Sequence, residues 1–402
     1  MNRDVVFLRR SVSRRAILAG APALLIPHCS QAALSSIPIS LIIAPSSSPP
    51  PPSGWPGTVS NPVGYNHAPG YTGSLTPWPG GGFTNGTSGS PTVYAHYDFN
   101  GGSSGALNLQ NASWITFLGC RFQSNNVSDD CSRVGLSGNI LFSYCSFTPL
   151  ASLYTAPPHS SETQLGQDGL AWPAAGAGLQ TISQVTNTNC IDGSSGYQYG
   201  MLVQSTNTGP ITLDHCDFWG FGNAITFSNS TNQINITNSW IHDGANSFPQ
   251  GYHTDGPGYL DNTTPPQNVL LQGNTIASIG NTNAIALQAV TSPYVSISAI
   301  GNYLSGFNIN TDFGHTANNN VSMTFENNVF GTDLPWQNGP FYADVSPNYG
   351  NGSGNLWRGN TLNILAGTSS WPGASPAWSG GQQGYYLLPN QTFSATDWTL
   401  GP

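Results

Sequence analysis

Apolar and polar residues recur along this chain in one short phrase. An aliphatic residue opens an alternating stretch, Cys or Asn follows five residues later, and an aromatic or aliphatic residue stands two beyond that. The phrase reads Ile115-Thr-Phe-Leu-Gly-Cys120-Arg-Phe122, Ile140-Leu-Phe-Ser-Tyr-Cys145-Ser-Phe147 and Ile211-Thr-Leu-Asp-His-Cys216-Asp-Phe218. It continues as Ile234-Asn-Ile-Thr-Asn-Ser239-Trp-Ile241, Val269-Leu-Leu-Gln-Gly-Asn274-Thr-Ile276, Ile297-Ser-Ala-Ile-Gly-Asn302-Tyr-Leu304 and Met323-Thr-Phe-Glu-Asn-Asn328-Val-Phe330, with weaker copies at 185–192 and 355–362. Most copies lie about 23 to 35 residues apart, the range in which self-similarity marks a solenoid. Period-2 alternation makes each unit a strand rather than a helix. A second strand is predicted after most copies, at 197–204, 222–228, 254–260 and 283–288.

Composition sharpens this picture. Charged residues make up 6% of the 402, there is no Lys, and Arg occurs only at 3, 9, 10, 14, 15, 121, 133 and 358. Beyond residue 32, three Arg against sixteen Asp and Glu leave a net charge of −13. Such a surface repels phosphate backbones and anionic lipid, which argues against nucleic-acid and membrane-surface binding. The abundant Gly, Asn, Ser and Thr are what a turn-rich all-β chain needs.

The first 32 residues read as an export signal. Ser13-Arg14-Arg15-Ala16-Ile17-Leu18 resembles the twin-arginine motif, and the apolar run that follows it to Ile26 is too short to anchor in a bilayer. Cleavage is expected before Ala33, which implies a bacterial protein delivered to the periplasm or secreted, with no membrane anchor left. Residues 33–56 form a Pro/Ser-rich linker. Residues 57–105 are read as an N-terminal cap, 106–365 as the repeat array and 366–402 as a C-terminal cap or tail. Solenoids need caps, because an uncovered last turn is an open edge.

The repeat resembles that of the right-handed parallel β-helix, the pectin-lyase-like fold, over about residues 106–365. The resemblance implies an all-β coil whose turns stack about 4.8 Å apart, so that equivalent positions form ladders. Cys120, Cys145, Cys190 and Cys216 then share an inward ladder that Asn274, Asn302, Asn328 and Asn360 continue. Each Asn there can bond its neighbour's amide and the turn backbone. Adjacent Cys in the ladder lie within disulfide range, but small buried thiols are the favoured reading. Cys131 falls outside the ladder. The resemblance leaves open whether the coil is a monomer or a trimer.

After Ser239 the next strand is delayed by an insertion, His242 to His253, and insertions in repeat arrays project from one face as loops. Around it stand His242, Asp243, Tyr252, His253 and Asp255. Paired carboxylates are the equipment of glycosidic-bond hydrolysis, and His beside Asp can tune a proton transfer. The plain alternative is that Asp243-Gly244 and Asp255-Gly256 are turns and both His are polar surface. His253-Thr-Asp255-Gly256 is similar to the Asn-Thr-Asp-Gly segment of the polygalacturonase-type hydrolases. That family's paired Asp-Asp and its Arg-Ile-Lys have no counterpart here, so the likeness carries over to Asp255 alone.

Asp217 lies one coil before the insertion and shares a predicted outward stripe with Trp240, Thr275 and Tyr303. Aromatic faces there could stack on sugar rings, though an ordinary solvated sheet face would show the same pattern. Asp129-Asp130 could bind Ca²⁺ through oxygen ligands, but acidic turns are usually just solvated. No Cys or His spacing fits a zinc site. The expected function is hydrolysis of a neutral or weakly charged polysaccharide. Asp243 and Asp255 would be the paired carboxylates, Asp217 an alternative partner, and His242 and His253 orienting or binding groups. Trp240, Tyr252 and Tyr303 would bind substrate. A polysaccharide lyase is the enzymatic alternative, with Arg133, Arg358 or a His or Tyr as base, and a glycan-binding or ice-binding solenoid is the non-catalytic one.

Overall fold

The computed structural model describes residues 63–100, 107–124, 132–135, 137–149, 166–172, 185–188, 191–203, 210–227, 233–242, 255–259, 268–279, 283–287, 296–306, 309–313, 322–330, 339–343, 356–358, 360–363 and 398–401. The segments expected to be an export signal (1–32) and a linker (33–56), and Asp129, Asp130, Cys131, Cys190, Asp243, Tyr252 and His253, lie outside these residues. The described chain is a parallel β-solenoid. Apart from one 3-10 turn, Tyr65–His67, its regular elements are strands.

Each coil follows from its phrase. In Ser113–Leu118 the alternation buries Ile115 and Phe117 and leaves Thr116 and Leu118 at the surface. Stacked in register, such strands form a ten-stranded parallel sheet. Ile211 pairs with Ile234, Ile234 with Val269, Val269 with Ile297 and Ile297 with Met323, so the repeat positions coincide coil after coil. A second face carries the strands that follow the Cys or Asn position, among them Arg121–Ser124, Trp240–His242, Thr275–Ile279 and Tyr303–Gly306. A third carries Leu107–Gln110, Ser132–Gly135, Pro257–Tyr259 and Asn283–Leu287. Ile191–Val203 and Asp217–Phe227 run on from the second face to the third, which joins the two into one nineteen-stranded network.

One residue turns each described corner between the first and second faces. His96, Gly119, Tyr144, His215, Asn238, Gly273, Gly301 and Asn327 all have φ between 49° and 66°. Each stands directly before the ladder position, so the left-handed conformation turns the chain and the next side chain points inward. The phrase shows this requirement only in its Gly and Asn members.

The inward ladder satisfies its own polar groups. Ser239 N–H donates to Asn274 Oδ1 at 2.8 Å, Asn274 N–H to Asn302 Oδ1 at 2.9 Å and Asn302 N–H to Asn328 Oδ1 at 3.0 Å. The side-chain amides of Asn274, Asn302 and Asn328 reach the carbonyls of Ile236, Leu271 and Ala299. Cys120, Cys145 and Cys216 are buried cysteines outside any disulfide, as favoured for the described members.

Toward the N-terminus, phenylalanines fill the interior in stacked columns. Phe117 lies 5.1 Å from Phe142, Phe99 4.8 Å from Phe122, and Phe122 5.1 Å from Phe147. Such offset pairs add about 0.5–1.5 kcal/mol each beyond their buried area. Stacking already includes Thr92–Ala95, which pairs with Ile115–Leu118, and Tyr97–Asn100, which pairs with the strand starting at Arg121. Trp78 and Phe83 close this end, stacked on each other at 5.3 Å and packed on Phe99 and Phe117. Arg121 holds the segment down through a bidentate pair with Asp98, at 3.0 and 2.6 Å, beneath the Tyr65 ring. Late in the chain, Trp398–Gly401 pairs parallel with Asn360–Asn363 and so extends the ladder.

Candidate functional site

Register brings four of the expected residues into one row. Asp217 pairs with Trp240, Trp240 with Thr275 and Thr275 with Tyr303, on successive coils of the second face. Ile241 of the strand Trp240–His242 is fully buried in the core, so Trp240 and His242 share the outward side. His242 is then a diagonal neighbour of Asp217 across the sheet.

That diagonal is closed by a hydrogen bond. His242 Nε2 lies 2.9 Å from Asp217 Oδ1. A carboxylate can only accept, so the proton sits on His242 Nε2. The imidazole lies flat on Trp240, with ring centroids 3.6 Å apart and planes 19° from parallel. Both partners are screened from water despite facing outward, His242 at 10% and Asp217 at 13% side-chain exposure. Electrostatic interactions between them are therefore stronger than at an open surface. Thr275 beside them is also buried, whereas Tyr303 remains partly accessible.

A second His–Asp pair stands at the preceding corner. His215 Nδ1 lies 2.8 Å from Asp214 Oδ2, and Asp214 Oδ1 also receives Thr237 Oγ1 at 2.6 Å and Asn238 Nδ2 at 3.0 Å. Burial works to raise the Asp214 pKa, but the donors Thr237, His215 and Asn238 outweigh it and hold the carboxyl below its ordinary value. Sequence reading used Cys216 and Asp217 of this segment and gave Asp214 and His215 no role. The signal was present in the adjacent letters Asp214-His215, one coil before Thr237-Asn238.

Asp255 does not join the outward row. It is 1% exposed, and its Oδ1 accepts the Asn283 main-chain N–H at 3.0 Å. Its own carbonyl accepts the Ala224 N–H, and at Gly256 a Cβ would collide with the Ala284 carbonyl and crowd Ile276. The Asp-Gly pair is therefore seated between coils, with Asp255 serving the main chain much as the ladder Asn residues do. Arg121 is engaged by Asp98, and that hydrogen bond, working against burial, pushes its pKa above the ordinary value. A guanidinium held so firmly charged is a poor proton acceptor.

Among the described residues no group of three or more His, Cys, Asp or Glu is arranged to hold a metal ion. No protein-family model, curated protein or solved structure matches this chain.

Proposed function

We propose that this chain is an exported, carbohydrate-active β-helix that hydrolyses glycosidic bonds of a neutral or weakly charged polysaccharide. The observation that carries the reading is the screened His242–Asp217 hydrogen bond with Trp240 stacked against it. A carboxylate fixed in a low-dielectric setting is suited to stabilise the positive charge that develops on a sugar ring during bond cleavage. His242 orients that carboxylate. Asp243, the next residue in the chain, supplies the proton for the leaving oxygen. Trp240 and Tyr303 offer aromatic surface along the row, and Tyr252 and His253 of the insertion complete the sugar contacts. Asp255 belongs to the scaffold in this assignment.

The negative charge of the chain weighs against a lyase acting on uronates. One observation favours a non-catalytic glycan binder as the second reading: the pair is so screened that it could simply orient Trp240. Incubating the protein with xylan, mannan, galactan and β-glucan separates these readings. Release of reducing ends that disappears in Asp217→Asn supports the hydrolase. Growth of unsaturated-uronate absorbance on a uronate polymer overturns it in favour of a lyase. Binding without any product overturns it in favour of the binder.

A further inference from the structure

The outward row does not run open along the whole second face. Register continues it N-terminally from Asp217 to Ile191, then to Ser146, Arg121 and Asp98. Residues 63–71 lie across its N-terminal end as a strap. Tyr65 N–H donates to Ser146 Oγ at 3.2 Å, and the Arg121 guanidinium lies 5.6 Å from the centre of the Tyr65 ring. Ser146 stands between the inward Cys145 and Phe147, so it faces outward, yet it is only 5% exposed. The strap has sealed the sheet at that coil.

Contacts at several points keep the strap in place. Arg121, clamped by Asp98, gives Tyr65 a fixed seat. Ala68 is buried where a Cβ at Gly119 would overlap its own. Tyr71 packs edge-on against Tyr65 at 5.7 Å and lies 6.2 Å from the His96 ring. Beyond the strap the row is lopsided about Asp217. Only two coils, about 10 Å, separate Asp217 from Ser146. In the other direction Trp240, Thr275, Tyr303 and Val329 follow on four successive coils.

We infer that residues 63–71 are a stop that makes cleavage chain-end-directed, with Tyr65 as the residue against which the polymer abuts. This rests on the hydrolase reading above and deepens it by fixing where along the polymer the bond is cut. A sugar chain in contact with both Trp240 and Tyr303 runs along the solenoid axis, since those residues stand on one row two coils apart. Past Asp217 it meets the strap after about 10 Å, room for about two sugar units. The terminus of the polymer therefore lies on the short side, and its body lies over Trp240 and Tyr303. Each cut at Asp217 releases a fragment of that size. An open face would instead admit the middle of a chain, and cuts would fall at random.

Product size tests this on whichever of xylan, mannan, galactan and β-glucan the full-length protein cleaves. The wild type should release short fragments from the earliest times, while the viscosity of the polymer solution falls slowly. Tyr65→Ala and Gly119→Ala should loosen the strap from two separate points, which faster proteolysis around residues 63–71 checks. In both, and more in the double variant, viscosity should fall several-fold further per reducing end released, with longer early products. Long early products from the wild type overturn the inference and leave the hydrolase reading standing. So do short products that persist once proteolysis shows the strap released. A strap as resistant in the double variant as in the wild type overturns it as well, because the contacts named would not hold it. Loss of folding in both single variants makes the segment scaffold and also overturns it. A wild type inert on every polymer overturns the hydrolase reading and this inference together.

Discussion

Asn302 Oδ1 accepts two hydrogen bonds from Asn274, one from the main-chain N–H at 2.9 Å and one from Nδ2 at 3.0 Å. Asn302 in turn donates to Asn328 Oδ1 from both its main-chain N–H and its Nδ2. Three coils are thereby joined through one line of side-chain amides inside the core. Asn302→Ala would strand the Asn274 main-chain N–H in an apolar interior and cut the line. Leaving buried donors unmade costs about 1–3 kcal/mol per group, so a loss of roughly 2–4 kcal/mol is expected. Cys145→Ala, at the same ladder position five coils earlier, removes weak S–H contacts such as those to the Phe117 and Ser143 carbonyls and a small volume, and should cost about 1 kcal/mol. Urea denaturation of the two variants checks the ranking, and equal losses would show that the amide line adds nothing beyond packing.

The corner glycines give a second graded comparison. A Cβ at Gly301 meets nothing within 4 Å, so Gly301→Ala pays only the conformational strain of φ 64°, about 1 kcal/mol. At Gly119 the same atom would overlap Ala68 Cβ and come within 2.9 Å of His96 Nδ1. Gly119→Ala should therefore cost more than Gly301→Ala and loosen the N-terminal segment from the first coils. Faster proteolysis around residues 63–71 in Gly119→Ala alone is the expected sign. Equal midpoints and equal cleavage in the two variants would contradict it.

How much of this was readable in advance depends on which residues bear the pattern. Positions such as Ile115, Ile140 and Ile211 alternate strictly and recur at solenoid spacing, so the parallel stacking and the Cys-to-Asn ladder followed from the letters. The coil at Thr92–Asn100 was hidden because Tyr97 stands where other phrases have Cys or Asn. The corner rule was hidden because Gly, Asn, His and Tyr share a backbone conformation and no side-chain chemistry. Asp217, Trp240 and Tyr303 were placed on one row by counting, since register is a property of period 2. The contacts of Asp217 and Trp240 with His242 were not, because they depend on rotamers that no spacing encodes. Asp255 shows the converse: a short likeness to a hydrolase segment says nothing about which way a carboxylate faces once the coil closes.

Asp217 and His242 should act as a unit. Asp217→Asn and His242→Gln are each expected to lower kcat for polysaccharide cleavage by about 10²-fold or more. The double variant should lose little beyond either single change, because each removes the same oriented carboxylate. Additive losses would mean that the two residues work independently. Trp240→Ala should instead raise KM, by about tenfold, through the lost stacking surface.

Acid stability carries the signature of Asp214. Its carboxyl is held below the ordinary value in the folded chain, so the folded state favours the ionised form more than the unfolded state does. For such a group the stabilisation is complete above the unfolded pKa, about 3.9, and is lost as pH falls below that and through the lower folded value. The wild type should therefore lose stability on acidification below about pH 4. Asp214→Asn, which keeps an acceptor for Thr237 but cannot ionise, should be less stable at neutral pH and show a shallower fall in that window. The slope of unfolding free energy against pH between about 2 and 5, compared for the two proteins, checks the sign. A slope unchanged by the substitution would mean that the hydrogen bonds from Thr237, His215 and Asn238 do not favour the charged form.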